Sequence, residues 1–524
     1  MKRKETRKKG IVVFIGILFI NLIIFNSLLL NSPFLNSETP NQNENNFQDF
    51  YSILNTQGQG ANISLLHDPY TLNFNDTWHF FDENFESDLN YLYYGEGDVD
   101  GTITEDLIYS LDNLLLYNTL LKQIYDYDSS EILEKYLALK DTSLWYQGSS
   151  EYEYGFINSV DNTTGTINSF QRVLIDNLMP IFLLGENIEG SVSGSYKTEL
   201  ENAFTLINST QFLDINSEIF YHTNSSSGEI YALDNLYAVL ANLLINQTDG
   251  LDDAIKVRAG ILANQTMETL SETFWDSINL GYDYSASSAL SITNNNKYLE
   301  TNALGIITLL EYWKINNKSE YIANATSLYN NINNTLWYEF GTNGLYTNRS
   351  STDWSGNITD DADLKANAMM MRACLELFEV SGNRSYYNRA IELYNAFEDI
   401  FYDTNNNAYA KSKSTEGIDD KKNHLYNLRV CEAYLYALEI YDNSSISCSF
   451  NKSEQVPEFI FNQESLVITS NYSYNSFYGT FGIPNATLTY TIRDPSGDIL
   501  ETLNKTTNEN GTHTLTYLIS NELP

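Results

Sequence analysis

The feature that most constrains the fold is an internal repeat of about 64 residues. In each repeat an aromatic residue is followed by a loop rich in Asp, Glu, Asn, Gly and Tyr. The six aromatic residues lie 62 to 67 residues apart, at Trp78, Trp145, Phe212, Trp275, Trp337 and Phe401. A period of this size indicates one supersecondary unit per repeat, because each unit buries its apolar face only against its neighbours.

Each repeat carries two helical patterns. Every loop leads into a strongly apolar segment with an Asn near its start, as in ALDNLYAVLANLL, and such a segment predicts a helix buried on all sides. A short polar turn and a more amphipathic segment follow, as in RSYYNRAIELYNAFEDIF, which predicts an outer helix. The recurring Asn residues are Asn113, Asn177, Asn235, Asn302, Asn367 and Asn427.

These pairs predict a mainly α protein whose core is an (α/α)6 toroid of six helical hairpins over residues 47–442. Buried inner helices surrounded by amphipathic outer ones close naturally into a ring. Residues 47–54 are expected to form the outer helix that precedes Trp78. A straight solenoid is the alternative, although its ends would need polar caps that the sequence does not clearly provide.

From about Glu454 the sequence changes to short β patterns. ATLTYTIRD and HTLTYLIS are typical of strands, and the turn sequences DPSG and NENG punctuate them. Residues 454–524 therefore predict a small β-sandwich-like domain, which resembles an immunoglobulin-like or macroglobulin-like surface domain. Such domains usually have about 100 residues, so this one is expected to be incomplete.

The N-terminal 30 residues predict a membrane segment. Six basic residues between Lys2 and Lys9 precede an apolar run from Ile11 to Leu30, which is long enough to cross a bilayer. Because the positive flank stays in the cytoplasm, the rest of the chain is expected outside it. No A-x-A cleavage site follows, which favours a single-pass signal anchor over a signal peptide; a cleaved leader would give a secreted protein. Residues 31–46 have the composition of a linker.

Composition and motifs argue against several partners. The 68 Asp and Glu residues outnumber the 29 Lys and Arg residues, for a net charge of -39, so the chain would repel nucleic acid. It contains no P-loop, dinucleotide fingerprint or G-x-S-x-G elbow, which leaves nucleotide binding and serine hydrolase chemistry unsupported. N-x-[ST] sequons, such as those at Asn264 and Asn357, suit a glycosylated cell-surface protein.

Chemistry is predicted at the face where the inner helices begin, which we call the mouth. The loops that enter the inner helices are long, and long loops on a rigid scaffold carry function. Helix N-termini also favour carboxylates. The candidate catalytic acids at these starts are Asp112, Asp176, Asp234, Glu300, Asp361 and Asp363.

Aromatic residues near the same starts are candidate substrate-binding residues. They are Tyr109, Tyr231 and Tyr298 beside the acids, and Tyr282, Tyr284 and Tyr346 in the preceding loops, where they are expected to be better exposed than the recurring Trp residues. Two facing carboxyl groups can serve as acid and base, or as acid and nucleophile, in glycosidic bond cleavage, while tyrosines stack on sugar rings. The alternative is that the acids and Asn residues cap the helices and tie the repeats together. The recurring Trp residues are interpreted as packing residues.

One histidine and one turn complete the candidates. His424 lies at an inner-helix start, where it is a candidate for substrate binding or general base catalysis, with a hydrogen-bonded capping role as the alternative. No cofactor is expected other than a calcium ion at Asp98 and Asp100. That segment resembles an EF-hand loop around its glycine, but position twelve holds Leu107 in place of the bidentate Glu, which favours a solvated turn.

The hairpins together resemble the six-hairpin glycosidase superfamily, through segments such as LDNLYAVLANLL and LETNALGIITLLEYW. That group includes N-acylglucosamine 2-epimerase-like toroids and the toroid domain of thioredoxin-linked proteins. The resemblance implies a carbohydrate-active protein with a polysaccharide or glycan as its partner. Hydrolase and lyase-like members use an Asp near an inner-helix start, which implies a catalytic role for Asp112, Asp176, Asp234 or Asp361. Epimerase-like members rely on inner-helix histidines, a position that only His424 matches.

The sequence therefore predicts a membrane-anchored, extracytoplasmic protein of glycoside hydrolase type. The alternative is a non-catalytic cell-surface protein that binds glycans or a protein partner. A pair of carboxyl groups facing an open cleft would favour catalysis. Acids that are all hydrogen-bonded or widely dispersed would favour binding.

Overall fold

The structure, a computed structural model, describes Thr77 and most of residues 92–518. The gaps in that range are 105–106, 124–128, 148–153, 162–166, 170, 187–193, 226–227, 358, 443, 451–464, 477–478, 483–486, 494–498 and 509. The predicted membrane segment (1–30), linker (31–46) and first outer helix (47–54) lie outside the described residues. Within the described part of the chain, no helix is long and apolar enough to span a bilayer.

Six inner helices alternate with five outer helices in the described residues. The inner helices are α1 (Ser110–Gln123), α3 (Leu174–Gly185), α5 (Ala232–Gln247), α7 (Leu299–Asn316), α9 (Leu364–Ser381) and α11 (His424–Asp442). The outer helices are α2 (Ser129–Lys140), α4 (Gly194–Ile207), α6 (Asp253–Thr269), α8 (Ser319–Thr335) and α10 (Arg384–Ala396). A π-helical turn follows α6 and another follows α10.

The inner helices form a closed ring. Each inner helix packs against the next one along the chain, and α11 packs against α1. Each described outer helix packs against the inner helix before it. The predicted (α/α)6 toroid is thereby confirmed, and a straight solenoid is excluded because the first and last inner helices touch.

Burial of the two helix classes follows the sequence pattern. The consecutive residues Met369, Met370 and Met371 of α9 are all buried, so this inner helix is enclosed on every side. In α10 the buried residues include Tyr386, Ala390 and Leu393, at the spacing of one helix face. The other face of α10 is left to solvent, as expected for an outer helix.

The loops that enter the inner helices contain short β-strands, which the sequence did not predict. Through the toroid these are β1 (Glu96–Gly97), β2 (Leu107–Tyr109), β3 (Trp145–Gln147), β4 (Tyr154–Phe156), β5 (Ser159–Asp161), β6 (Ile167–Ser169), β7 (Leu213–Asp214), β8 (Ile219–Phe220), β9 (Ile230–Tyr231), β10 (Trp275–Asp276), β11 (Gly281–Tyr282), β12 (Ser285–Ala286), β13 (Ile292–Asn294), β14 (Lys297–Tyr298), β15 (Trp337–Phe340), β16 (Asn343–Tyr346), β17 (Arg349–Ser350), β18 (Ala362–Asp363), β19 (Tyr402–Asp403), β20 (Ala408–Lys413) and β21 (Ile418–Asn423).

Some of these strands form a hairpin at the end of an outer helix. The antiparallel pairs are β3 with β4, β7 with β8, β10 with β11, β15 with β16 and β19 with β20. In the hairpin after α6, Trp275 lies opposite Tyr282, and their ring centroids are 5.0 Å apart. Trp337 and Tyr346 repeat this contact at 4.9 Å. Trp275 and Trp337 therefore pack within their hairpins.

Other strands join one repeat to the next around the mouth. The chain just before each inner helix pairs with the loop of the following repeat. The pairs are β2 with β5, Val173 with Thr223, β9 with β12, β14 with β17, β18 with β20, and β21 with β1. Because β21 belongs to the last repeat and β1 to the first, backbone hydrogen bonds close the ring as well as helix packing does.

The recurring Asn fixes each hairpin to its inner helix through what we call the Asn clamp. Its Oδ1 accepts the backbone N–H of one aromatic residue at 2.8 to 2.9 Å. Its Nδ2 donates to the carbonyl of the same residue at 2.9 to 3.3 Å. The same Nδ2 donates to the carbonyl four residues before the Asn. Only an amide supplies both donor and acceptor in this geometry.

After α11 the described chain is all β. The strands are β22 (Ser444–Phe450), β23 (Ser465–Ser476), β24 (Gly479–Gly482), β25 (Thr487–Arg493), β26 (Ile499–Thr506) and β27 (Thr512–Leu518). Strand β23 pairs with β22, β24 and β27, while β25 and β26 pair with each other. The described part of the chain divides into two compact units, and residues 489–504 belong to a different unit from the described residues before 489 and after 504. The immunoglobulin-like or macroglobulin-like assignment stays a prediction.

Candidate active site

Acidic side chains from neighbouring inner helices converge at the mouth. Asp112, Asp176 and Asp234 are each the third residue of their helix, and all three are buried. The charges of Asp112 and Asp234 both act on Asp176, and that of Glu300 acts on Asp234. The predicted acids therefore lie close enough to influence one another.

Asp176 is the most deeply buried of these acids. Burial raises the pKa of its carboxyl well above the usual range, although a hydrogen bond with Asn158 opposes the shift. Its Oδ2 is buried and makes no hydrogen bond with any described residue. A carboxyl with a raised pKa keeps its proton to higher pH and can act as an acid.

Glu300 and Asp363 are each held by a neighbouring group. Glu300 Oε2 lies 3.0 Å from Lys365 Nζ, and the Glu300 side chain is 23% exposed. Asp363 caps α9, where its Oδ1 accepts the N–H of Ala366 at 2.9 Å. Tyr426 also bonds to the Asp363 carboxyl, whose pKa burial raises. Asp363 therefore fits the capping alternative, and Glu300 is an accessible carboxylate beside a cation.

His222 is a mouth residue that the sequence analysis did not select. It lies between β8 and β9, where its Nδ1 is 2.6 Å from Asp234 Oδ2, and the side chain is 37% exposed. Burial lowers its pKa, but the hydrogen bond and charge of Asp234 outweigh that effect, so the His222 pKa is raised. Because Asp234 holds Nδ1, the Nε2 side of the ring is the side left for a ligand.

A row of tyrosines lies beside this histidine. The Tyr231 ring meets His222 edge-on at 4.6 Å and Tyr284 at 5.2 Å. The Tyr284 and Tyr298 rings are 4.2 Å apart, and Arg349 donates to the Tyr298 hydroxyl at 3.0 Å. All three tyrosines are partly exposed. Half-buried aromatic rings of this kind provide an apolar face with a polar edge, which suits a sugar.

Other predicted ligand residues are less accessible. Tyr282 and Tyr346 are 1% and 0% exposed because each belongs to an Asn clamp, so the expectation that these loop tyrosines are exposed is wrong. His424 is fully buried against the Tyr93 ring, and burial lowers its pKa to about 3. A histidine in that position stays neutral and is shielded from a ligand. Tyr109 is half-buried at the end of β2.

The carboxylates predicted at Asp361 and at the calcium turn are exposed to solvent. Asp361 is exposed just before β18. Asp98 and Asp100 are exposed in the turn after β1, where Asp100 Oδ1 accepts the N–H of Thr102 at 3.0 Å. In the described part of the chain, no group of three His, Cys, Asp or Glu residues is placed to hold a metal ion. The calcium ion at Asp98 and Asp100 stays a prediction.

His222 belongs to a regularity of the hairpins that the structure reveals. Each repeat has a residue two positions after its clamped aromatic residue, and most of these residues contact a group of the mouth. These residues are Gly95, Asn158, His222, Tyr284, Asn348 and Lys411. Asn158 bonds to Asp176, His222 to Asp234, and Asn348 Oδ1 accepts the Asp363 N–H at 2.8 Å. We call these six the variable positions.

Comparison with known proteins identifies the fold. No family model and no curated protein matches the sequence. Solved structures do match, each at 12% sequence identity and over 71% of this chain. A cellobiose 2-epimerase from Bacillus thermoamylovorans matches over 100% of its own chain with a TM-score of 0.58. A D-mannose isomerase matches over 97% with a TM-score of 0.56. A family 76 α-mannanase from Bacteroides thetaiotaomicron matches over 97% with a TM-score of 0.54. The chain thus has the toroid fold of six-hairpin glycosidase-like proteins.

Proposed function

We propose that the protein is a carbohydrate-active enzyme that cleaves glycosidic bonds at the mouth of its toroid. The observation that carries this proposal is the convergence of Asp176, Asp234 and Glu300 beside the tyrosine row. Titratable groups whose environments differ are the usual source of acid and base roles. The sugar-active proteins that share the fold support the same class of substrate.

The two carboxyl environments suggest separate roles. Asp176 in its protonated form would donate a proton to the leaving glycosidic oxygen, because its raised pKa keeps it an acid. Glu300 beside Lys365 would act as the base that activates water, or as the nucleophile. The rings of Tyr231, Tyr284 and Tyr298 would hold the sugar.

The test is release of reducing ends from α-mannan and from a panel of other neutral polysaccharides. We expect Asp176→Asn and Glu300→Gln each to lower kcat by about 100-fold or more, since general acid or base catalysis contributes about 10² to 10⁴. Asp249→Asn is the matched control, because that carboxylate is 83% exposed and lies just after the C-terminal end of α5, whereas the mouth is at its N-terminal end. Hydrolysis that survives both substitutions would rule out these roles.

A second candidate function is epimerisation or isomerisation of a sugar. The observation that favours it is the His222–Asp234 pair, in which a carboxylate orients an imidazole whose other nitrogen is left for a ligand. A general base of this kind can remove a proton from carbon beside a carbonyl. Uptake of deuterium from D₂O by cellobiose or mannose, abolished in His222→Ala, would support this function. A protein that binds these sugars without any turnover would match the non-catalytic alternative.

The location is part of the proposal. The basic and apolar pattern of residues 1–30 supports a signal anchor with the toroid outside the cytoplasm. The sequon at Asn357, an exposed residue, is compatible with glycosylation there. Protease treatment of intact cells would degrade the toroid if this location is right and would spare it if the toroid is cytoplasmic.

A further inference from the structure

A cavity of about 50 Å³ lies on the ring axis, and every inner helix contributes to its wall. We call it the axial cavity. Tyr237 of α5 lines it and follows Asp234 by three residues, which is about 4.5 Å deeper along a helix. The charge of Glu300 acts on both Tyr237 and Arg429, another lining residue. The axial cavity therefore lies directly below the acids of the mouth.

Two polar atoms in the wall of the axial cavity are buried and make no hydrogen bond with any described residue. Tyr237 is 5% exposed, and its hydroxyl makes no hydrogen bond with any described residue. Arg429 is 6% exposed, and its Nε also makes no hydrogen bond with any described residue. Buried polar groups are almost always satisfied in native proteins, so two such groups at one cavity call for a polar occupant.

The charges around the axial cavity are already balanced. Arg429 Nη1 lies 2.6 Å from Glu432, and Arg372 Nε lies 3.0 Å from Glu376. Asn118 donates to Glu186 at 3.0 Å. Among the described residues that line the cavity, no cation lacks an acidic partner, and the acids Asp176, Asp234 and Glu300 lie nearer the starts of α3, α5 and α7. The chemistry matches a neutral, hydroxyl-bearing group.

The size of the axial cavity limits what enters it. A volume of about 50 Å³ holds a few waters or one exocyclic hydroxymethyl group, but a sugar ring is larger. A polysaccharide therefore cannot thread through the ring, and only the end of a ligand reaches this depth.

We propose that the axial cavity is the innermost subsite of the mouth and takes the hydroxyl-bearing edge of a terminal neutral sugar, which makes the protein selective for chain ends and against uronic acids. This inference rests on the proposed function. It adds that Tyr237 and Arg429 are specificity residues, although neither takes part in proton transfer.

The experiment is calorimetric titration of the full chain with D-mannose, D-glucose and D-galactose, and with the matching uronic acids and 6-deoxyhexoses. We expect at least one neutral hexose to bind about 10-fold or more tightly than its uronic acid and its 6-deoxy form, because a site built around a hydroxyl rejects analogues that lack it. Tyr237→Phe, which removes only the hydroxyl, should weaken that hexose about 3- to 10-fold.

Tyr312→Phe is the matched control. Its hydroxyl is also buried, but it bonds to Asn264 on the outer side of α7, so its loss should leave the hexose affinity unchanged. Hexose binding that is insensitive to Tyr237→Phe, or uronic acids that bind as tightly, would overturn the axial subsite while leaving the proposed function intact. Failure of every sugar to bind would overturn both.

Discussion

Each hairpin carries a clamped aromatic residue and a variable position, and the residue type is nearly constant at the first and changes from repeat to repeat at the second. The clamped aromatic residue is Tyr or Phe in all six repeats, and the Asn clamp holds it in the same way each time. Two residues further on, the variable positions hold Gly, Asn, His, Tyr, Asn and Lys. A position that repeats its chemistry supports the ring, and a position that changes in each repeat is where a single asymmetric site can be built on a symmetric scaffold.

The largest contrast is expected between Tyr282 and Tyr284, which are separated by one residue. The Tyr282 ring is buried so tightly against Gly305 that a Cβ there would lie 2.6 Å from it. We expect Tyr282→Ala to lower the free energy of unfolding by about 3 to 5 kcal/mol. Tyr284→Ala should cost about 1 kcal/mol or less and should instead weaken sugar binding. Urea unfolding and sugar titration of both variants provide the test, and equal destabilisation would break the distinction.

A somewhat smaller effect is expected from opening one clamp. Asn235→Leu removes the partner of the Phe220 N–H, the Phe220 carbonyl and the Tyr231 carbonyl, all at a buried site. Leaving such groups unsatisfied should cost about 3 kcal/mol in unfolding free energy. Asn343→Ala is the control, because that exposed amide makes a single bond with Asp399 and its loss should cost about 0.5 kcal/mol or less. A clamp variant as stable as the control would show that the clamp is incidental.

The smallest stability effect is expected at His222, where the pH dependence is the informative readout. Its pKa is raised in the folded state, so the stability it contributes is present below the unfolded value of about 6.5 and is lost as pH rises through the folded value. Wild type should lose this increment with rising pH, and His222→Ala should not. Identical pH profiles of the unfolding midpoint in the two proteins would show that the His222–Asp234 pair is not formed.

The sequence was sufficient to predict the ring of helices but not all the residues and strands at the mouth. The period of about 64 residues and the alternation of apolar and amphipathic helices depend on repeated burial, which leaves a signal in every repeat. The strands at the mouth are mostly two to four residues long and contain Gly, Asn and Asp, which have low strand propensity, so no local pattern predicts them. Their pairing depends on the neighbouring repeat and exists only once the ring has closed.

Among the site residues, those on helices could be predicted from the sequence, and those on the short strands could not. Asp112, Asp176, Asp234 and Glu300 were accessible to prediction because they sit at fixed positions on helices. His222 was not, because its place at the mouth depends on the register between β8 and the clamp at Asn235. The exposure expected for Tyr282 was wrong for a related reason, because the Asn302 clamp holds Tyr282 in the core while Tyr284, two positions further on, is partly exposed.

The most direct test of the account is a crystal structure of the protein soaked with a neutral disaccharide such as cellobiose or mannobiose. We predict sugar density at the mouth, stacked on the rings of Tyr284 and Tyr298, with its terminal hydroxymethyl group directed toward Tyr237. Sugar bound elsewhere on the toroid, with the mouth empty, would contradict the assignment of the variable positions to the functional site.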